Sequence, residues 1–219
     1  MNAISALSRR DLLKAGGAIV VSFSLPAAAL GQALPAPGKT LDGSEVDGFL
    51  AVQQDGSVTI YSGKVDLGTG YRIAVRQMVA EELDIAIGRI ALVEGDTALT
   101  PDQGPTAGST GITRGAVPIR QAAATARQEL LRLAAEYFRT PADKLMIQDG
   151  VVSMAIARGT LPPRSFGDLV GGKRFSLKID AKAPLKDPTT YVLVGKPLPR
   201  PDLPEKATGR HLYVHDFKL

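Results

Sequence analysis

The sequence contains no cysteine in 219 residues. That absence removes disulfides, Fe–S ligation and a thiol nucleophile from this polypeptide. A basic patch is also missing. Of the formal net charge of +4, residues 1–33 supply +2 through three basic residues and one acid, so the remainder carries only +2. No nucleic acid is expected as a partner. An uninterrupted bilayer-length apolar run is lacking too, because the alanine-rich stretch over residues 15–30 is broken by Pro26; a membrane helix there is the alternative reading. With 44% apolar and 22% charged residues, the chain can build one or two modest domains with a real core, which excludes wholesale disorder.

What is present starts with Ser8-Arg9-Arg10-Asp11-Leu12-Leu13-Lys14, followed by the apolar stretch and Gly31-Gln32-Ala33. This reads as a twin-arginine export signal over residues 1–33, cut after Ala33 or Ala29, and it predicts a periplasmic protein. That route passes folded proteins, which suggests a cofactor loaded before export. Residues 34–47 form a spacer that begins rich in Pro and Gly.

The most informative segment is Gly63-Lys64-Val65-Asp66-Leu67-Gly68-Thr69-Gly70, placed directly before an amphipathic run from Tyr71 to Leu83. The first N–H groups of a helix have no partner within it, and glycines let an anion approach them. A second such segment, Thr106-Ala107-Gly108-Ser109-Thr110-Gly111, precedes a long helical stretch over residues 115–137. Together the two predict one large, polar, multiply anionic ligand. Each taken singly is equally a helix cap.

Around these segments, residues 48–53 and 57–62 predict a hairpin turning at Gln54-Asp55-Gly56, and residues 89–93 alternate as a strand after the first helix. This is a β-β-α-β unit. Residues 94–105 form a Gly-, Pro-, Asp- and Thr-rich loop too long for a mere connector, hence a candidate binding loop. The second helix presents an alanine-rich stripe of Ile119, Ala122, Ala123, Ala126, Leu130, Leu133, Ala134 and Tyr137, with Pro118 in its first turn. Residues 145–148 and 151–157 predict a second hairpin turning at Asp149-Gly150. A proline-rich linker over residues 182–204 is expected to wrap along a surface, and residues 212–217 have a strand-like pattern with no visible stop. Glu81 and Glu82 read as the polar face of their helix.

Four ordered blocks now define a resemblance: residues 63–70, 77–83, 95–106 and 121–124. The chain resembles the front portion of the molybdopterin-binding large subunit of the xanthine dehydrogenase and aldehyde oxidase family, in the branch of isoquinoline-oxidoreductase-like and nicotinate-dehydrogenase-like subunits. The resemblance implies an α+β fold. Residues 48–181 would be the first part of the molybdenum-cofactor-binding domain, 182–204 a linker, and 205–219 the opening strand of an α/β hammerhead domain. It also implies that Gly68, Thr69 and Gly70 offer backbone N–H groups to the cofactor and that Thr106, Ala107, Gly108, Ser109 and Thr110 line the pterin. Relatives carry glutamine where Thr69 stands, and a polar residue is common where Gly111 stands.

The implied cofactor is molybdenum-molybdopterin in its cytosine dinucleotide form. The implied activity is an exported molybdenum hydroxylase oxidising an aldehyde or N-heterocycle, to which this portion contributes cofactor binding; the family's glutamate base has no counterpart here. Implied partners are the remaining part of the large subunit, a small [2Fe-2S] subunit and a c-type cytochrome. A truncated or split-gene exported module without catalysis of its own is the alternative. A serine hydrolase using Ser109 with Asp187 and His211 or His215 is a third reading, against which stands the lack of an apolar strand before the serine. His211 and His215 in a strand would be about 13 Å apart, too far to share one metal ion. Glu94, Asp96 and Asp102 lack the regular oxygen spacing of a calcium loop.

Overall fold

The computed structural model describes residues 40–155, 161–171 and 176–218. Residues 1–33, read as an export signal, residues 34–39 of the spacer and residues 156–157 of the second hairpin lie outside the described residues. A single helical turn, α1 (Val46–Phe49), leads into β1 (Leu50–Val52), which pairs antiparallel with β2 (Val58–Ser62) in the register Leu50 to Ile60. The hairpin is thus present, although residues 48 and 49 belong to α1. Helix α2 (Tyr71–Leu83) then crosses back so that β3 (Ile90–Glu94) lies parallel to β2, giving the order β1-β2-β3. The expected β-β-α-β unit is this sheet. Its central strand β2 is buried at every position, as a strand covered on both faces must be.

Helix α3 (Val117–Phe138) follows one π-helical turn over Gly111–Ala116, and Pro118 sits in its first turn, where a missing N–H costs nothing. Its buried stripe includes Ile119, Ala122, Ala126, Leu130 and Ala134, all at most 1% exposed. Small residues let α3 approach α2 and the sheet closely, and the shared core includes Val75, Val79 and Leu83 of α2 with Val58 and Ile60 of β2. At the far end of α3, Phe138 is buried while Tyr137 is only partly so and lies under the Arg164 guanidinium at 4.4 Å. The second sheet is antiparallel, β4 (Leu145–Gln148) with β5 (Val151–Met154) and the short β6 (Arg164–Ser165), capped by α4 (Phe166–Val170). Ser165 and Asp168 close a reciprocal capping box at the start of α4.

The proline-rich stretch does wrap a surface, and what it wraps is α2. The Glu81 carboxylate accepts the N–H groups of Val192, Leu193 and Val194 at 3.0, 2.6 and 3.0 Å, and Gln77 Nε2 donates to the carbonyls of Leu193 and Lys196. Glu82 accepts from the Lys186 N–H and pairs with Arg120 at 2.6 Å. Glu81 and Glu82 are 2% and 1% exposed, so they are not a solvated face. They are buried acceptors that hold the strap, which then ends at the first glycine turn, where Arg200 Nη1 donates to the Gly68 carbonyl at 2.8 Å.

The expected terminal strand is not formed. Residues 212–217 instead contain a single 3-10 turn, Val214–Asp216, with Leu212, Tyr213, Val214 and Phe217 exposed. A strand requires a ladder partner, and none of the described strands pairs with this segment.

Candidate functional site

The two glycine segments, separated by almost forty residues in sequence, line the same cleft. Its volume is about 400 Å³, and it is lined by Val65, Leu67, Thr69 and Gly70 from the first segment and residues 106–111 from the second, together with Tyr71, Ala74 and Ile112. Gly68 is not a lining residue. None of the lining side chains is a carboxylate, ammonium or guanidinium.

The first wall is built around Asp66. Its Oδ1 accepts the N–H groups of Gly68 and Gly70 at 2.8 and 3.2 Å, and its Oδ2 accepts the Arg72 N–H at 3.1 Å. This loop needs left-handed backbone at Gly68 (φ 95°) and Gly70 (φ 83°), which glycine adopts without a Cβ clash. Two of the N–H groups that the sequence assigned to a ligand are therefore already engaged by the segment's own carboxylate. The Thr69 N–H and hydroxyl, by contrast, make no hydrogen bond among the described residues, and Thr69 lines the cleft. Burial pushes the Asp66 carboxyl up, but the N–H groups of Arg72, Gly68 and Gly70 and the nearby Arg200 charge outweigh it and leave its pKa below the ordinary value.

The second wall hangs from the first by side chains. Thr106 Oγ1 accepts the Val65 N–H at 3.0 Å, and Gln103 accepts the Gly63 N–H at 3.0 Å while donating to the Gly115 carbonyl at 2.9 Å. Lys64, 2% exposed, reaches under the loop to the carbonyls of Gly104 and Pro105 at 3.2 and 2.7 Å and to Thr110 Oγ1 at 3.4 Å. The approach is close enough to require glycine at 115, where a Cβ would stand 2.6 Å from Lys64 Cγ and 3.2 Å from Tyr71 Oη. Tyr71 Oη in turn meets Ser62 Oγ at 2.8 Å, and burial pushes its phenol pKa up. Gly108 and Ser109 are consecutive left-handed residues at φ 56° and 57°. For serine this conformation is strained, and its hydroxyl makes no hydrogen bond among the described residues.

With the walls in place, the comparison with known proteins decides the family. Residues 14–203 match the profile of the molybdopterin cofactor-binding domain. The chain belongs to that family. It is similar to a nicotinate dehydrogenase subunit from Pseudomonas putida, 42% identical over the whole of this chain and 18% of that protein. It is also similar to the beta subunit of isoquinoline 1-oxidoreductase from Brevundimonas diminuta, 31% identical over 97% of this chain and 32% of that one. Among solved structures, CO dehydrogenase from Oligotropha carboxidovorans aligns over 55% of this chain and 15% of its own, with a TM-score of 0.47 and 22% identity. The chain thus spans about a fifth to a third of the length of these curated relatives.

The residues present fit a molybdopterin. The volume suits a fused-ring ligand, Leu67 and Ile112 offer apolar surface at the mouth, and Thr69, Thr106 and Ser109 offer hydroxyls. The serine hydrolase reading finds no support among the described residues, where the Ser109 hydroxyl bonds neither Asp187 nor a histidine. Asp187 is occupied in capping the turn at Thr189, and His211 faces Glu205 at 3.7 Å and stacks edge-on with Tyr213. Among the described residues no group of three or more His, Asp or Glu could hold a metal ion. Sequence reasoning missed Lys64, Asp66 and Arg200 as parts of the site. Asp66 carried a signal, since an aspartate two residues before a glycine commonly turns back on its own backbone.

Proposed function

We propose that the cleft between Thr69-Gly70 and residues 106–111 holds the molybdopterin cofactor, and that the chain acts as the cofactor-positioning portion of a larger molybdenum hydroxylase subunit. The observation that carries this is the convergence of two distant glycine segments on one cleft, in a chain of the molybdopterin-binding family. When bound, the cofactor supplies the redox chemistry, and the protein supplies position and electrostatics. Here Asp66 fixes the first turn, and Thr106 and Lys64 fix the second loop against it. Thr69 and Ser109 point unused donors at the ligand.

The same reading extends beyond the cleft. The chain is exported by the twin-arginine route to the periplasm, and the cofactor is the cytosine dinucleotide form. Its substrate is an aldehyde or N-heterocycle; the names of the two relatives, nicotinate dehydrogenase and isoquinoline oxidoreductase, support the N-heterocycle. The catalytic base comes from the remaining part of the large subunit, and electrons leave through a small [2Fe-2S] subunit toward a c-type cytochrome. The alternative is an exported module without catalysis of its own. Molybdenum and released pterin per complex, measured on protein purified from its source with partners retained, separates them. Values near one of each support the cofactor-binding reading. Their absence, under conditions where related enzymes load, leaves the module.

A further inference from the structure

We propose that Lys64 is the fixed positive charge of the cleft, and that an anionic group of the bound ligand, seated over residues 106–110, is its counter-ion. This deepens the reading above and rests on it. The buried charged side chains among the described residues are Asp47, Lys64, Glu81 and Glu82, and Lys64 is the cation among them. Elsewhere, several cations that reach into the structure meet carboxylates: Arg120 meets Glu82, Lys186 meets Glu81 and Asp84, and Arg200 meets Asp202, while Arg76, only partly buried, bonds the Ile87 carbonyl. Lys64 makes no such pair among the described residues. Its ammonium is satisfied only by neutral oxygens, the carbonyls of Gly104 and Pro105 and the Thr110 hydroxyl.

A buried charge without a counter-ion is costly, and an apolar side chain of the same length would fill the space at less cost. The geometry shows where the charge acts. The Pro105 carbonyl points at Lys64, and in a trans peptide the N–H of the next residue points the opposite way. That N–H belongs to Thr106, which lines the cleft and makes no N–H bond among the described residues. Lys64 therefore polarises a peptide whose donor end is free. The Thr106 hydroxyl belongs to the same residue, and because its oxygen accepts from Val65 its proton remains to be donated. Thr110, whose hydroxyl oxygen accepts a hydrogen bond from Lys64 Nζ, lines the same wall.

The test compares a charged and a neutral probe, pyrophosphate and biopterin, by calorimetry on the full chain carrying Lys64→Met or Lys64→Gln. The expected result is pyrophosphate affinity reduced about ten- to a hundredfold in both variants, with biopterin affinity falling much less. A loop that merely loosens would lose both probes together. Equal loss of both, loss of neither, or failure of both variants to fold would assign Lys64 to loop support alone and overturn the inference. Wild-type protein that takes biopterin but not pyrophosphate overturns it too, leaving the cofactor reading standing. Wild-type protein that takes neither probe overturns the cofactor reading itself.

Discussion

Replacing Glu81 by alanine should detach the strap from α2. In the native structure its carboxylate accepts three successive backbone N–H groups, from Val192, Leu193 and Val194, and pairs with Lys186 at 3.3 Å. Leaving a buried donor unpaired costs about 1–3 kcal/mol, which for three donors would sum to far more than a strap of this kind can lose. The strap is partly exposed, with Val192 at 68%, so its freed N–H groups can reach water, and Lys186 keeps Asp84. The net cost then falls to about 2–3 kcal/mol, or a Tm lower by about 4–12 °C. Burial pushes the Glu81 carboxyl up, but the N–H groups of Val194, Leu193 and Val192 and the Lys186 ammonium more than reverse it, so its pKa lies below the ordinary glutamate value. With the folded-state pKa depressed, the stabilisation is complete above pH ~4.3 and is lost as pH falls through the folded value. Urea unfolding between pH 3 and 7, with hydrogen exchange at residues 192–194, reads both effects. Glu81→Ala should lose stability at neutral pH, flatten the acid limb and release those three amides. A change below about 0.5 kcal/mol with the amides still protected would refute the idea that Glu81 holds the strap.

Three further outcomes are expected. Gly115→Ala places a Cβ 2.6 Å from Lys64 Cγ and should cost about 1–3 kcal/mol by overpacking, read by thermal unfolding. Ser109→Gly relieves a left-handed serine at φ 57° and should stabilise the chain by up to about 1 kcal/mol in the same assay; destabilisation would mean the hydroxyl has a partner in solution. Asp66→Asn keeps the size but removes the charge that gathers the N–H groups of Gly68, Gly70 and Arg72. Because the Asp66 pKa is depressed, wild-type protection of those amides should fade as pH falls below ~3.9, whereas the variant should exchange quickly at every pH.

The β-β-α-β unit, the start of α2 at Tyr71 and the second hairpin were legible in the sequence because short-range rules govern them. Period-2 and period-3.6 patterning, glycine punctuation and an Asp-Gly turn need no distant partner to be read. The two cleft-lining segments were legible for the same reason, as glycine-rich runs ahead of helices. The fate of Glu81 and Glu82 was not. Two adjacent acids on a helix look like a solvated face, and what buries them is a strap more than a hundred residues later in the chain. The terminal segment failed in the opposite direction: alternation at residues 212–217 resembles a strand, but pattern alone cannot supply a ladder.

Sequence by itself determined which short elements form and that two glycine-rich turns precede helices, since those depend on residues a few positions apart. Only the tertiary structure decided that the turns share one cleft, that Asp66 already occupies two of the glycine N–H groups, and that Lys64 lies buried beneath the second loop. These outcomes depend on where backbone groups point after β2 and β3 pair and the strap closes over α2. Hydrogen-bond partners forty to a hundred and thirty residues apart are chosen by packing, and local composition does not encode that choice.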